Sequence, residues 1–550
     1  MEKNKINNFI LYSFFFIYFF LGIYSLKDYG INIEEHTQIY SGFYWLNYIY
    51  DFFDIDFLKN DLIEKLAKIS SDKELPDPQI YTYGPIFDVP VAFLELLFRG
   101  LDNHFFFYLR HLLIFFIYFL SSILVFKIFK LRFKNFFVCI FGTILFIYSP
   151  RLYGDSFHNN KDILFLSLII FSIYYFFKFI KKNNIKYILL FTLFSALSTS
   201  TRVIGLFLPF SVLIFLFFDN INKENKYKFF IFSIIIILSY LFFLYIHWPY
   251  LWSAPLDNFL NYLFKSANWI FSHFILFNKQ YLLTYALPDS FLYIWVAITT
   301  PIFNLVLFFL GTFFLLKRFF KRFISIELFN HNKNSDLWRS KNEMLDNFIL
   351  LNLFAILSFL LFLHVPFTSG WRHLYFLNFF LIYIGTFFLH LLFLRFKNVD
   401  KLLASIILIL IIPNIYKVIV FHPFQSLYFN ELLSNEQKKG FLIDREGLSR
   451  LDSINKILDI EKNNNGVISI ANASFLPYYR IRDAISLNTK SKLDFVRGEY
   501  NKADYIYNSF VYEIDPKFNK KYQIPDNFDL IYTLKIEEIV VYELFKKRKY

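Results

Sequence analysis

Long apolar runs separated by short polar connections fill the first 420 residues of the chain. A helix needs about 20 apolar residues to cross the hydrocarbon core of a membrane, within a range of about 17–25. The pattern therefore predicts an α-helical polytopic membrane protein with about eleven transmembrane helices. The runs are 9–26, 105–127, 135–149, 162–180, 186–200, 203–218, 228–246, 291–316, 347–364, 373–394 and 402–420.

Longer polar segments interrupt or follow these runs in three places. Residues 27–104 form a large first outer loop, whose apolar stretch 86–98 is interpreted as a helix lying on the membrane. Residues 247–290 form a second large outer loop. We therefore predict a transmembrane domain over 1–420 and a small α/β domain over 421–550. The tail is predicted to hold strands at 466–474 and 504–510, a hairpin from 529–535 and 539–545, and a helix at 450–463.

The composition supports a membrane protein and excludes several other classes. Hydrophobic residues make up 56% of the chain and charged residues 18%, which is too apolar for a soluble protein of this length. Cys139 is the single cysteine, so intramolecular disulfides and multi-cysteine zinc sites are excluded. The net charge of +13 would be consistent with nucleic-acid binding, but the positions of the basic residues indicate membrane topology instead.

The distribution of Lys and Arg predicts the orientation. One alternating set of connections and termini holds 23 basic residues, whereas the shorter connections of the opposite set hold six. Positively charged loops stay in the cytoplasm. We therefore expect a cytoplasmic N-terminus and, with an odd number of spans, a periplasmic C-terminal domain in a bacterial inner membrane.

Ionisable residues gather at the predicted outer ends of the spans, where desolvation makes them natural site candidates. Adjacent acids such as Glu34 and Glu35 are also typical of a solvated helix start, and Asp162 could simply cap a helix. Arg202 and Arg372 are harder to explain structurally, because positive charge outside opposes the topological bias. The candidates from this pattern are Glu34, Glu35, Asp155, His158, Lys161, Asp162, Arg202, Arg372 and His373.

The order of these motifs resembles a known family. The segments PRLYGDSFHNNKD (150–162), GWRHLYF (370–376) and FHPFQSLYFNELL (421–433) are similar to GT-C membrane glycosyltransferases of the family 39 type. This branch holds protein O-mannosyltransferases and lipid A aminoarabinose transferases, and the resemblance covers about 1–435. It implies transfer of a sugar from a polyprenyl phosphate to a lipid, glycan or protein acceptor at the outer membrane face.

The resemblance also implies roles for individual residues. Glu34 matches the acceptor-side carboxylate of the family, and the inverting chemistry of such enzymes makes it the candidate base. Tyr83 begins Tyr-Gly-Pro where aminoarabinose transferases have Lys-Pro-Pro, so the phosphate contact of that Lys must come from elsewhere. We expect catalytic roles for Glu34, Glu35 and Asp162, donor-phosphate binding by Lys161, Arg202, Arg372 and His373, and substrate lining by Asp155, His158, Asn159 and Tyr83.

Two other functions are consistent with the sequence. A transporter or flippase of lipid-linked sugars would use the same cations to bind phosphate without cleaving it, and a scaffold would use the C-terminal domain to bind partners. The charge-free middles of the spans favour the enzyme, since transporters usually place polar groups near mid-membrane. The sequence identifies no certain cofactor and leaves a divalent cation open without a ligand set. Nucleic acid is not an expected partner.

Overall fold

Helices occupy each of the eleven predicted apolar runs in the computed structural model of the protein. The model describes residues 2–71, 82–220, 226–268, 274–324, 338–365, 370–464 and 466–548. Parts of both predicted outer loops and of the predicted cytoplasmic connection 317–346 lie outside the described residues.

Nine of the described helical stretches are long and apolar enough to cross a membrane. The protein is therefore an integral membrane protein, and the predicted helical membrane fold is confirmed. Which side each terminus faces stays a prediction. The nine stretches are Asn4–Asp28, Asn103–Phe133, Asp162–Lys182, Val203–Asn220, Tyr227–His247, Ile302–Arg322, Lys341–Phe362, Phe376–Arg395 and Lys397–Val420.

Two of the predicted spans are shorter helices inside the bundle. Phe136–Ile147 has 12 residues and is about 18 Å long, well short of the hydrocarbon thickness. It begins where the Asn135 side chain accepts hydrogen bonds from two backbone amides, and it ends just before Pro150, which starts the next helix. Ile185–Thr201 has 17 residues and is capped in the same way by Asn184.

The predicted span 291–316 is interrupted in the structure. A short helix, Phe291–Thr299, ends before Pro301, and a second helix, Ile302–Ile324, follows it. The residue before a proline disfavours helical geometry, and Thr300 is extended with φ −91° and ψ 133°. A single continuous helix over this range is therefore wrong.

Shorter helices and one pair of strands lie in the connections between the apolar helices. The helix Asp88–Leu97 falls on the apolar stretch 86–98 and packs against Glu35–Phe52. These smaller elements are the helices Glu35–Phe52, Lys59–Ser71, Asp88–Leu97, Pro150–Asp155 and Pro255–Ala267 and the antiparallel strands Phe274–Phe277 and Gln280–Leu283.

The tail forms the predicted small α/β domain around a five-stranded sheet. Strand Ile468–Asn472 pairs in parallel with Leu493–Val496 on one side and with Tyr505–Asn508 on the other. The hairpin Phe528–Ile536 and Ile539–Lys547 continues the sheet in antiparallel orientation. The helix Ser449–Ile460 buries Ile454 and Ile457 against this domain. The boundary at residue 420 stays a prediction.

The C-terminal domain docks directly onto the segment that follows the first span. Arg450 donates through Nη2 to the carbonyl of Ile31 at 2.7 Å, and the Ile33 amide donates to the carbonyl of Glu446 at 3.0 Å. A Cβ on Gly30 would lie 2.6 Å from the Leu448 carbonyl oxygen, so only glycine permits this approach. This contact brings residues 444–450 to the predicted site.

Candidate active site

Glu34 and Glu35 point to different neighbours because Asn32 shapes the turn before them. The Asn32 side-chain oxygen accepts a hydrogen bond from the Glu34 backbone amide at 3.0 Å, and the backbone amide of Asn32 donates to the Glu35 carboxylate at 2.7 Å. The Glu34 side chain is 42% exposed, whereas the Glu35 side chain is 3% exposed. His111 of the second span lies 3.1 Å from the Glu35 carboxylate. Only Glu34 therefore reaches the other candidates.

Arg372 contacts three carboxylates from distant parts of the chain. Its Nη2 donates to Glu34, and its Nη1 donates to Glu446 at 3.4 Å. Its Nε lies 3.7 Å from Asp162 Oδ2. Arg372 is 4% exposed and follows Gly370, whose positive φ of 59° suits glycine. The guanidinium is the centre of the site.

Asp162 connects Arg372 to a second guanidinium. Its Oδ1 accepts a hydrogen bond from Arg202, which ends the helix Ile185–Thr201. Asn159 donates to Asp162 Oδ2 at 3.0 Å and accepts the Asp162 backbone amide at 2.9 Å. The position of Asp162 at a helix start also favours its negative charge. Glu34, Asp162, Arg202 and Arg372 thus form one continuous network, hereafter the charged cluster.

Lys161 and Tyr83 form the adjoining wall. The Lys161 ammonium lies 3.2 Å from the centre of the Tyr83 ring, a close cation–π contact. Both residues line a cavity of about 40 Å³ together with Asp88 and Asn160. A wider cleft of about 280 Å³ lies between residues 36–107 and the C-terminal domain. Its lining is His36, Ile39, Tyr40, Lys65, Glu95, Asn103, Phe106, Phe107, Arg482, Asp483 and Lys490.

The pKa shifts at the site follow from burial and from this concentration of charge. Burial opposes ionisation of Glu34, but the positive charges around it, chiefly Arg372 and then Lys161, together outweigh this effect and lower the Glu34 pKa below its ordinary value. Burial lowers the pKa of Lys161. Burial, together with Arg202 and Arg372, places the pKa of His373 well below its ordinary value. His373 is therefore neutral at pH 7, while Glu34 is an anion.

Asp155, His158 and Glu446 form a second group directly behind the charged cluster, hereafter the Asp–His–Glu cluster. Nε2 of His158 lies 3.9 Å from Asp155 Oδ1 and 3.7 Å from Glu446 Oε2. Burial raises the pKa of Glu446 to about 7 and that of Asp155 well above its ordinary value. Protein contacts alone therefore do not stabilise these two carboxyls as anions.

Glu446 is a site residue that the sequence analysis missed. It lies in the segment FLIDREG at 441–447, which the domain prediction assigned to a separate unit. Nothing in that segment resembles a known motif, and its proximity to Arg372 depends on the docking of the C-terminal domain. The other predicted residues lie around the charged cluster, except Glu35, which faces His111.

A family comparison matches part of the chain. The model of the dolichyl-phosphate-mannose-protein mannosyltransferase family matches residues 105–248. The predicted resemblance is confirmed over this range. This range includes Asp155, His158, Lys161, Asp162 and Arg202, whereas Glu34, Arg372 and Glu446 lie outside it.

Comparison with solved structures gives a distant likeness. The chain aligns with the crystal structure of ArnT from Cupriavidus metallidurans bound to undecaprenyl phosphate, with a TM-score of 0.41 and 8% identity. The alignment covers 97% of this chain and 98% of that chain. A likeness at this level carries no argument about ligands. No curated protein matches the sequence.

Proposed function

We propose that the protein is a membrane glycosyltransferase that moves a sugar from a polyprenyl-phosphate donor to an acceptor. The acceptor group is a hydroxyl or phosphate on a lipid, a glycan or a protein. Transfer takes place at the outer face of a bacterial inner membrane and inverts the configuration at the sugar carbon. The proposal is supported by the family match over 105–248 and by the charged cluster beside it.

The arrangement of the charged cluster is the observation that carries the proposal. Glu34 and Asp162 alternate with Arg372 and Arg202: the accessible Glu34 carboxylate pairs with Arg372, and Asp162 joins Arg372 to Arg202. Transfer from a sugar phosphate needs both a proton acceptor and a stabiliser of the departing phosphate. The Glu34 carboxylate and the two guanidinium groups have the chemistry for these two tasks.

Both guanidinium groups retain capacity for a phosphate. The Nε atoms of Arg202 and Arg372 are buried and have no hydrogen-bond partner among the described residues. Buried donors without partners are costly, and a bound phosphate oxygen would satisfy them. Lys161 adds a third positive charge, and its ammonium group makes a cation–π contact with the Tyr83 ring. These donors replace the Lys that related aminoarabinose transferases carry near Tyr83.

The proposed reaction is a single displacement. The acceptor oxygen attacks the anomeric carbon, Glu34 takes the acceptor proton, and the bond from that carbon to the phosphate oxygen breaks. The polyprenyl phosphate leaves with the bonding electron pair, and Arg372 and Arg202 stabilise its charge. When Arg372 turns toward the donor phosphate, its hold on Glu34 weakens. Glu34 then becomes a stronger base in the loaded site than in the empty site.

Replacement of Glu34 by Gln tests the proposal. Glu34→Gln keeps the size of the side chain but removes the proton acceptor, so transfer should fall by about 10²–10⁴-fold while donor binding persists. Transfer and binding are measured on the full-length protein in lipid nanodiscs with a radiolabelled polyprenyl-phosphate sugar. Glu436→Gln is the matched control, because Glu436 is exposed on the C-terminal domain.

The same pair of variants separates the enzyme from a transporter. A flippase would move intact lipid-linked sugar across vesicle membranes, and Glu34→Gln would leave that movement unchanged. Wild-type protein that moves the intact donor but forms no glycosylated product would overturn the proposed function.

A further inference from the structure

The Asp–His–Glu cluster presents three unpartnered polar atoms to one another. Asp155 Oδ1, His158 Nε2 and Glu446 Oε2 all lie within 4.8 Å of each other. None of these atoms has a hydrogen-bond partner among the described residues, although all are buried. The side chains of Asp155 and His158 are 0% exposed, and that of Glu446 is 9% exposed. Buried polar atoms are nearly always hydrogen-bonded, so this group requires an explanation.

The other polar atoms of the cluster are already engaged and fix the side chains in place. Asn159 donates to Asp155 Oδ2 at 3.0 Å, and Arg372 donates to Glu446 Oε1 at 3.4 Å. The side-chain amide of Asn32 lies 3.4 Å from His158 Nδ1. In each side chain, therefore, one polar atom contacts a neighbouring residue. The other polar atom faces the centre of the cluster without a hydrogen-bond partner among the described residues.

We propose that Asp155, His158 and Glu446 bind one divalent cation of the Zn²⁺ class. One imidazole and two carboxylates form a ligand set that Zn²⁺ accepts, and their combined charge would balance the ion. The separations of 3.9 and 3.7 Å from His158 Nε2 exceed only slightly the spacing of ligands around the ion. Zinc bonds of about 2.1 Å at tetrahedral angles give a spacing of roughly 3.4 Å.

Metal binding sets a condition on Asn32. His158 can coordinate through Nε2 only if its proton is on Nδ1, and that N–H needs an acceptor. The nearest group is the Asn32 amide, whose oxygen accepts the Glu34 amide in this structure. Asn32 would therefore have to turn its side-chain oxygen toward His158 when an ion binds, and it would release the backbone amide of Glu34.

The cation would position residues of the charged cluster rather than touch the substrate. Glu446 would bind the ion through Oε2, while its Oε1 accepts a hydrogen bond from Arg372. Asp155 is joined to Asp162 through Asn159, which donates to both carboxylates at 3.0 Å. The ion would also tie the C-terminal domain to the segment before the fourth predicted span, since Glu446 comes from the former and Asp155 from the latter.

Metal analysis of the full-length protein tests this site without any measurement of transfer. Protein in detergent is stripped with chelator, exposed to Zn²⁺, desalted and analysed by mass spectrometry. We expect about one Zn²⁺ per chain in the wild type and near none in Glu446→Gln or Asp155→Asn. Glu436→Gln is the matched control and should retain the full equivalent, since Glu436 is a surface residue.

Cobalt gives an independent readout of the ligands. Co²⁺ in a tetrahedral site with nitrogen and oxygen ligands absorbs visible light, and this band should be present in the wild type and lost in His158→Ala. His364→Ala, which removes an exposed histidine, should keep it. A wild-type protein that binds neither ion would overturn the proposal. The proposal would also be overturned if the Asp155, His158 or Glu446 variants elute as folded protein in gel filtration and still retain a full metal equivalent.

Discussion

Arg372 shows how one side chain can organise a site. A guanidinium has five donors in a rigid plane, so it can face Glu34, Asp162 and Glu446 at once. A lysine ammonium carries the same charge at a single point on a flexible stem. The shape of the arginine, as well as its charge, therefore holds the charged cluster together.

Replacement of Arg372 by Lys should separate shape from charge. Loss of a pre-positioned donor at a developing charge costs about 10²–10³-fold in turnover, and we expect Arg372→Lys to fall in this range. Arg372→Ala should also lower the free energy of unfolding by about 3–5 kcal/mol, because it leaves buried carboxylates unpaired. Turnover and thermal unfolding in detergent measure the two effects. A Lys variant with wild-type turnover would contradict the role assigned to the guanidinium plane.

The lowered pKa of Glu34 predicts a pH dependence of stability. The unfolded chain binds a proton to Glu34 near pH 4.3, and the folded chain does so only at lower pH. The ionised group therefore stabilises the fold above about pH 4.3, and this contribution disappears as the pH falls through the folded-state pKa.

Comparison of wild type with Glu34→Gln isolates this contribution. The side chain is 42% exposed, so solvent screening limits the difference in free energy of unfolding to about 1 kcal/mol at pH 7. The two unfolding curves should converge as the pH is lowered below about 4. A difference that grows on acidification would contradict the lowered pKa.

Two of the apolar helices cross at close range. Gly311, in the helix Ile302–Ile324, faces the helix Phe376–Arg395, and an added Cβ would lie 2.1 Å from the Ile384 carbonyl oxygen. Small residues allow such close approach between membrane helices. Because the obstacle is backbone, the contact cannot be relieved by rotation of a side chain.

Gly311→Ala should therefore force the two helices apart. Overpacking typically costs about 1–3 kcal/mol, and we expect a lower midpoint of thermal unfolding in detergent. Gly100→Ala is the matched control, because nothing lies within 4 Å of a Cβ at Gly100. Equal midpoints for the two variants would contradict the close crossing.

The helices could be predicted from sequence because the length of each apolar run and the residues that cap or break its ends determine them. Asn135, Asn184 and Pro301 mark helix ends by chemistry that acts on neighbouring residues. Apolar length alone does not predict the break at Pro301, because apolar residues dominate on both sides of Thr299 and Thr300. The strand Leu493–Val496 was also missed, since four residues alternate too briefly to distinguish a strand from a loop.

The site could be predicted only in part, because its members meet through the fold of the whole molecule. The charge pattern identified Glu34, Asp162, Arg202 and Arg372, since ionisable residues at span ends need a reason. It could not separate Glu34 from Glu35, because the direction of each side chain is decided by Asn32. Glu446 gave no local signal, because only domain docking brings it to Arg372.

The orientation of the whole molecule can be tested with cysteine labelling. Cys139 is the only cysteine of the chain and is buried, so a Cys139→Ala background is free of thiols. A membrane-impermeant maleimide should label Glu436→Cys in intact cells and Lys182→Cys only after permeabilisation. Both positions are exposed helical residues. The opposite labelling would reverse the proposed topology and move the charged cluster to the cytoplasmic face.

The contact between Glu446 and Arg372 has a consequence for biosynthesis. Glu446 follows the last of the apolar helices, so a nascent chain with all of its helices inserted still lacks one of the three carboxylates around Arg372. The guanidinium acquires its full set of neighbours only after the tail has folded against the Gly30 segment. We therefore expect a translation product truncated before Glu446 to leave Arg372 without its complete set of carboxylates, even with every apolar helix in place.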